Sequence, residues 1–316
     1  MPDTLIICPT TDRMDARLRD GFDPIFLRDL DDPVAWLAAH GAGIHYVLTD
    51  GHLGVPADIL VALPALALIS SYGVGYDAID TGAATERGIP VTHTPGVLDA
   101  EVATSALLLC LTCWRGFEGA MEHARSGRWT NGSYRLTRSA DNRRVGILGL
   151  GRIGKAFVRK LAPFDADILY HGRSKQDVPH RYYTALTDMA RDCDTLVSFA
   201  PGGAATHHLI NAEVMAALGP DGTLINVGRG SVVDEGALIT ALQTGTLGAA
   251  GLDVFEHEPH IPDALRALPN AVLSPHVGSA TVETRRAMGD LAIDNLVAAR
   301  DGAPLLTPVP ESAALL

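Results

Sequence analysis

Three residues in the last third of the chain carry side chains that together would suit hydride transfer to a carbonyl. Arg229 stands in Asn226-Val-Gly-Arg-Gly, directly after an apolar run that reads as a strand. Glu258 lies in Asp253-Val-Phe-Glu-His-Glu-Pro259 and His276 in Ser274-Pro-His-Val-Gly-Ser279, each again following a strand-like run. Ligands of open α/β sheets bind beyond the carboxyl ends of the strands, where all three would sit. Arginine there would hold a carboxylate and polarise a neighbouring ketone. Histidine would protonate the developing alkoxide, or take the proton back in the reverse direction. Glutamate would fix the ring and favour its charged form. Each also has a plain structural reading: a solvated arginine, a helix-capping glutamate, a turn histidine. Spacing alone leaves both readings open.

A second constellation is Arg144–Gly154, Arg-Val-Gly-Ile-Leu-Gly-Leu-Gly-Arg-Ile-Gly. An apolar strand pattern enters Gly149-x-Gly151-x-x-Gly154, and a helical pattern follows at Ile153, Ala156, Phe157 and Leu161. This is the context of a dinucleotide pyrophosphate site. Gly149 allows the tight turn, Gly151 the approach of the cofactor, and Gly154 close packing of helix on strand. The helix N-terminus then offers free amides and a positive dipole end to the phosphates. An acid is expected about twenty residues further on, where it would accept from the adenosine ribose. The strand Asp167–His171 instead ends in Gly172-Arg173-Ser174-Lys175. A guanidinium, a hydroxyl and an ammonium attract a 2′-phosphate, so the turn implies NADP as the preferred cofactor, with NAD less favoured. The other reading is a solvated basic turn.

The elements that must position these groups come from the hydrophobic pattern. Strands are predicted at Leu5–Cys8, Pro24–Leu27, Ile44–Leu48, Leu66–Ser70 and Pro90–His93, with helices at Thr11–Asp20, Pro33–His40, Pro56–Leu63 and Asp77–Arg87. A long helix, apolar nearly all round, is predicted over Asp99–Phe117 and should be buried by more than one partner. Arg125–Arg143 reads as an exposed excursion containing Trp129. Strands resume at Val145–Leu148, Asp167–His171, Thr195–Phe199, Thr223–Val227, Ala249–Asp253 and Val272–Ser274. Helices are expected at Ile153–Leu161, Thr187–Arg191, Ala212–Leu218, Glu235–Thr244 and Val282–Arg300. The fold class is therefore α/β, with two doubly wound parallel sheets. The tail Leu305–Leu316 is expected to return to the first domain.

Composition bounds the function. With 47% hydrophobic and 20% charged residues, the 316-residue chain has core enough for two globular domains. A formal net charge of −12 argues against general attraction to nucleic acid or anionic membrane, so an anionic substrate needs local cations. No secretory signal is visible, and no apolar stretch is long enough to span a bilayer. Cys8, Cys110, Cys113 and Cys193 lack framework spacing, Cys110-x-x-Cys113 reads as buried thiols in an apolar helix and not as a redox or metal pair, and a reducing cytoplasm fits. Glu256-His257-Glu258-Pro-His260 has no metal-site spacing, so no metal is expected.

Five stretches together resemble the D-2-hydroxyacid dehydrogenase family over nearly the whole chain. They are Ser71-Tyr-Gly-Val-Gly-Tyr-Asp77-x-Ile-Asp80, Gly149–Gly154, Asn226–Gly230, Leu252-Asp-Val-Phe-Glu-x-Glu-Pro259 and Pro275-His-Val-Gly-Ser-Ala280. The texture of Gly228–Glu235 and Pro275–Arg285 is similar to the glyoxylate/hydroxypyruvate and hydroxyphenylpyruvate reductase branch. The resemblance implies a flavodoxin-like substrate domain, residues 1–97 plus 283–316, and a Rossmann dinucleotide-binding domain, residues 98–282. It implies NADPH-dependent reduction of small 2-oxo acids, with Arg229 on the carboxylate, Glu258 orienting, and His276 as acid/base. Backbone amides of Val74 and Gly75 would help hold the carboxylate. Arg152 and Ile153 would meet pyrophosphate and Asp253 the nicotinamide amide, with His276 and Ser279 close by. Ala200 and Pro201 would flank the adenosine side. His171, Val227 and Gly228 complete the implied cofactor contacts. A homodimer through the nucleotide domain and the long helix is also implied.

Two departures from the family pattern are Thr104, where many members carry a glutamate, and the basic turn Arg173–Lys175. Aryl or sugar-derived 2-oxo acids and phosphite are the alternative substrates. Formate is disfavoured, because formate enzymes of this family pair the histidine with glutamine. A dinucleotide-sensing corepressor is the remote non-enzymatic alternative.

Overall fold

The computed structural model describes residues 3–316. The chain divides into two compact units, one running to Leu98 and resuming at Ala280, the other Asp99–Ser279.

The first unit holds five parallel strands: β1 (Thr4–Ile6), β2 (Pro24–Phe26), β3 (Tyr46–Thr49), β4 (Leu68–Ser71) and β5 (Val91–Thr92). Their order, β2-β1-β3-β4-β5, is the flavodoxin-like one. Every residue of β1 and β4 is buried, as a parallel sheet covered on both faces requires. Side-chain caps start the helices: Thr11 accepts from the Met14 amide, Asp32 from Ala35 and Asp80 from Ala83. The Asp80 cap also corrects the expected Asp77–Arg87 helix, which begins only at Thr81.

The helix Val282–Arg300 belongs to this unit. It crosses the Asp12–Gly21 helix so closely that a Cβ at Gly289 would lie 2.7 Å from Met14 Cγ. Arg17 pairs with Asp290 and Asp294 at 2.9 and 2.8 Å across the same crossing. Ser70 Oγ donates to the Ala292 carbonyl at 2.9 Å. Beyond the helix, buried Asn295 accepts from the Leu306 and Thr307 amides. The following residues then pair with β5, Val309 N donating to Val91 O at 2.9 Å and Pro308 bridging Thr92. An otherwise open sheet edge is thereby covered.

The second unit has seven parallel strands: β6 (Arg144–Leu148), β7 (Asp167–His171), β8 (Arg181–Tyr183), β9 (Thr195–Ser198), β10 (Thr223–Asn226), β11 (Ala249–Leu252) and β12 (Ala271–Leu273). The order β12-β11-β10-β9-β6-β7-β8 reverses direction between β6 and β9. That reversal is the switch point at which open α/β sheets bind ligands. β8 has no counterpart in the sequence reading, because three residues beginning with an exposed Arg181 show no period.

The expected helix Asp99–Phe117 ends at Arg115. Gly116 takes φ +51°, and a second helix, Phe117–Arg125, follows it, between the expected long helix and the expected excursion Arg125–Arg143. Val102, Ala106, Leu109, Cys110 and Trp114 are buried, and Trp114 Nε1 donates to Thr195 Oγ1 at 2.9 Å. Leu108, however, is 63% exposed, so the chain itself covers only part of this helix. Among the described residues no helix is long and apolar enough to cross a membrane. All four cysteines are free thiols. Burial pushes Cys113 and Cys193 up to about 12, which leaves both thiols unreactive at neutral pH.

Candidate active site

Because the seven strands of the second unit are parallel, the loops after β6, β7, β9, β10, β11 and β12 all leave the same sheet edge. After β6, Gly149 takes φ +91°, a conformation that favours glycine. A Cβ at Gly154 would lie 2.7 Å from the Gly149 carbonyl oxygen, while one at Gly151 would meet nothing within 4 Å. Gly154 is therefore the packing glycine, and Gly151 faces open space. The helix Arg152–Leu161 begins with no side-chain cap, and the Arg152 and Ile153 amides make no hydrogen bond to the described protein. Such a bare helix start is ready for an anion. The Arg152 guanidinium lies 3.5 Å from Asp99 Oδ2.

After β7, Arg173, Ser174 and Lys175 are all exposed. His171 is half-buried, and its Nδ1 donates to the Tyr183 carbonyl at 3.0 Å, which orients the ring on the strand end. The loops after β9 and β10 touch each other. A Cβ at Gly228 would stand 2.4 Å from the Ala200 carbonyl oxygen, beside exposed Pro201 and buried Val227.

Arg229 follows in a turn shaped by Asn226. The fully buried Asn226 side chain accepts from the Gly228 amide at 3.2 Å and donates to the Arg229 carbonyl at 2.8 Å. After β11 comes Asp253, only 2% exposed. Its carboxylate accepts from Ser274 Oγ at 2.6 Å, from the Val277 amide at 2.9 Å and from the Gly278 amide at 2.8 Å. Its carbonyl accepts from the His276 amide at 2.8 Å. One buried acid thus clamps the whole turn around His276, which sits at φ +52°. A non-glycine residue held there stores on the order of 1 kcal/mol or more of strain. Ser279 ends that turn, and the Ser105 hydroxyl holds its Gly278 carbonyl at 3.1 Å.

His276 Nδ1 donates to Glu258 Oε2 at 2.8 Å, and Glu258 Oε1 accepts from the Phe255 amide at 3.0 Å. Both carboxylate oxygens are engaged, so the ring is held with its Nδ1 proton on the acid. The three residues of the expected trio therefore follow β10, β11 and β12, consecutive strands of one sheet. A second pair lies beside them: His208 Nε2 donates to Glu256 Oε1 at 2.6 Å, with the His207 ring stacked on His208 at 3.9 Å.

In the first unit, Val74 and Gly75 lie just beyond β4. The Gly73, Val74 and Gly75 carbonyls are all tied back, to the Thr94 amide (2.8 Å), His93 Nδ1 (2.8 Å) and Ser71 Oγ (3.3 Å). Among the described residues the Val74 and Gly75 amides donate to no protein acceptor. Consecutive free amides of this kind make an anion cradle.

Residues 107–278 match the model of the D-isomer specific 2-hydroxyacid dehydrogenase NAD binding domain. The chain belongs to the D-2-hydroxyacid dehydrogenase family. It is 43% identical to a glyoxylate/hydroxypyruvate reductase of Arabidopsis thaliana over 306 residues, 96% of this chain and 98% of that protein. It is also 43% identical to the hydroxyphenylpyruvate reductase of Plectranthus scutellarioides, over 96% of this chain and 98% of that one. The crystal structure of an NADPH-dependent glyoxylate/hydroxypyruvate reductase from Sinorhizobium meliloti, in complex with NADP and malonate, superposes with a TM-score of 0.93. The two share 43% identity over 98% and 97% of the chains.

The sequence reading of this dehydrogenase missed the supporting polar residues: Asn226, Ser274, Gln176 and the His208–Glu256 pair. It placed Asp253 against the nicotinamide amide and did not show that its carboxylate also carries the His276 turn.

Proposed function

We propose that the protein is an NADPH-dependent reductase of small 2-oxo acids, glyoxylate or hydroxypyruvate, yielding D-2-hydroxy acids. The observation that carries the proposal is the Glu258–His276 pair at 2.8 Å on the sheet edge that also bears Arg229 and the glycine turn. NADPH, when bound, supplies the hydride. The bare amides at Arg152 and Ile153 and the open space at Gly151 suit its pyrophosphate. Arg173, Ser174 and Lys175 are assigned to the 2′-phosphate, and His171, Ala200, Pro201, Val227, Gly228, Asp253 and Ser279 to the rest of the cofactor.

Arg229 is assigned to the substrate carboxylate, with the amides of Val74 and Gly75 as further donors. His276 delivers a proton from Nε2 to the carbonyl oxygen as the carbon accepts hydride, and Glu258 balances the charge of the ring that began protonated. In the reverse direction neutral His276 takes the hydroxyl proton.

A homodimer through the second unit is part of the proposal. Leu108, Phe117 and Leu136, 63%, 54% and 96% exposed, line one open apolar groove there. Exposed apolar side chains gathered in one groove suit a partner surface. The free thiols support a reducing, cytoplasmic setting. The test is a panel of glyoxylate, hydroxypyruvate, hydroxyphenylpyruvate and 2-ketogluconate with NADPH and NADH. Faster NADPH oxidation with one of the two smallest acids is expected. Tight NADPH binding without turnover of any 2-oxo acid would sink the enzymatic reading, and preference for a bulkier acid would shift the substrate.

A further inference from the structure

The mechanism above makes no use of Gln176, which closes the turn carrying Arg173, Ser174 and Lys175. Its backbone is pinned at both polar atoms by one phenol. Gln176 N donates to Tyr170 Oη at 2.7 Å, and Tyr170 Oη donates to the Gln176 carbonyl at 3.2 Å. Tyr170 is 1% exposed, so the anchor is a rigid part of the core. The other end of the turn is held by Tyr182, whose hydroxyl donates to the Gly172 carbonyl at 3.2 Å. The two phenol rings pack with centroids 5.2 Å apart. Only residues 173–175 lie between the anchors, and their side chains are exposed.

The Gln176 side chain then reaches across to the other phosphate-facing loop. Its Nε2 donates to the Leu150 carbonyl at 2.9 Å, inside Gly149–Gly154. A carbonyl acceptor fixes which end of the amide faces it. One residue thereby ties the cationic turn to the glycine turn.

We infer that Gln176 is a positioning residue for selectivity between 2′-phosphorylated and unphosphorylated cofactors, an inference that rests on the NADPH reading. A ligand holding phosphate at both turns engages the second as an intramolecular event, and the gain depends on the span between the two. NADH has no 2′-phosphate, so of the two turns its phosphates meet only the glycine turn. Loosening the Gln176 link therefore weakens NADPH and leaves NADH alone. A merely structural Gln176, bracing the glycine turn, would weaken both together.

The test uses Gln176→Met in the full chain, which keeps length and volume but has no donor. Dissociation constants are measured for NADPH and NADH by fluorescence, and for adenosine 2′,5′-bisphosphate and adenosine 5′-monophosphate by competition. Losing one hydrogen bond predicts that NADPH and the bisphosphate weaken about 3- to 10-fold. NADH and the monophosphate stay within about twofold, and kcat at saturating NADPH is unchanged. Tyr170→Phe, which releases the backbone anchor, gives the same selective pattern and serves as the second variant. An unchanged NADPH/NADH affinity ratio in the two folded variants, or a parallel loss for all four ligands, overturns the inference. A parent protein with no NADPH preference overturns the cofactor reading itself, and that is read from the parent alone.

Discussion

Alanine at Gly151 and at Gly154 should do different damage, although the two positions lie three residues apart. At Gly154 the added Cβ would stand 2.7 Å from the Gly149 carbonyl oxygen and 3.5 Å from Ile147 Cγ2. A carbon against a carbonyl oxygen needs about 3.2 Å or more, so helix and turn must separate by roughly 0.5 Å. The helix Arg152–Leu161 buries Ala156, Phe157 and Leu161 against the sheet, and the shift spoils that packing. Overpacking of this kind costs about 1–3 kcal/mol. From the middle of that range, about 2 kcal/mol, alanine's helix preference returns up to about 1 kcal/mol, leaving a net loss of about 1–2 kcal/mol. For a unit of this size that lowers Tm by roughly 2–8 °C. The same shift would stretch a 2.9 Å amide–phosphate bond to about 3.4 Å, beyond useful range. One charge-assisted bond is worth about 1.5–3 kcal/mol, so NADPH affinity should fall roughly ten- to hundredfold. At Gly151 the backbone is extended, with φ −83° and ψ −158°, and the Cβ meets nothing. Gly151→Ala should therefore keep Tm within about 1 °C while NADPH affinity falls, because the Cβ takes the space offered to the pyrophosphate. Thermal unfolding without cofactor and a fluorescence titration with NADPH read both effects. If Gly154→Ala unfolds with the parent, or Gly151→Ala is the less stable of the two, the division of labour argued for these glycines is wrong.

Three other predictions concern the rest of the molecule. His276→Gln should lower kcat by about 10²–10⁴, the usual worth of a positioned general acid, with the Kd for NADPH unchanged; single-turnover kinetics and titration measure the two separately. Burial pushes the Glu235 carboxyl above its ordinary 4.5, and the Glu256 carboxylate adds to the rise against the opposing Glu256 amide and His257. A carboxyl raised in the folded state favours folding below 4.5 and loses that contribution as pH climbs through the folded value. Glu235→Gln should consequently melt above the parent at pH 7 and together with it near pH 4; a lower Tm at pH 7 would contradict the sign. Leu136→Glu places a charge in the exposed groove with Leu108 and Phe117, and sedimentation should find it monomeric where the parent is a dimer; a parent that sediments as a monomer refutes the interface.

The parts of this molecule legible in its sequence are those written in local spacing. Gly149, Gly151 and Gly154 perform within six residues of one another, and the apolar runs before Arg229, Glu258 and His276 announce strand ends directly. The sheet class follows from the same runs. What the sequence hides is long-range polar support. Nothing in the residue name Asn226 or Gln176 says which carbonyl its amide will find, and His208 meets Glu256 across 48 positions. Asp253 was visible as a residue at a strand end, but three donors from a turn more than twenty residues away decide how its carboxylate is spent. The helix break at Gly116 was missed because an apolar pattern runs through it, and only the backbone angle shows the left-handed step.

The interrupted first unit sets an order on synthesis. Its sheet is encoded by Leu98, yet the helix across β4 and the strap along β5 come from residues 280–316. Between them the ribosome must make the 181 residues Asp99–Ser279, roughly 10 to 35 s at ordinary elongation rates. Through that interval the nascent sheet carries an uncovered apolar face at β4 and an unpaired edge at β5. The later unit, contiguous in the chain, has no such wait, so the segment made first is the one finished last.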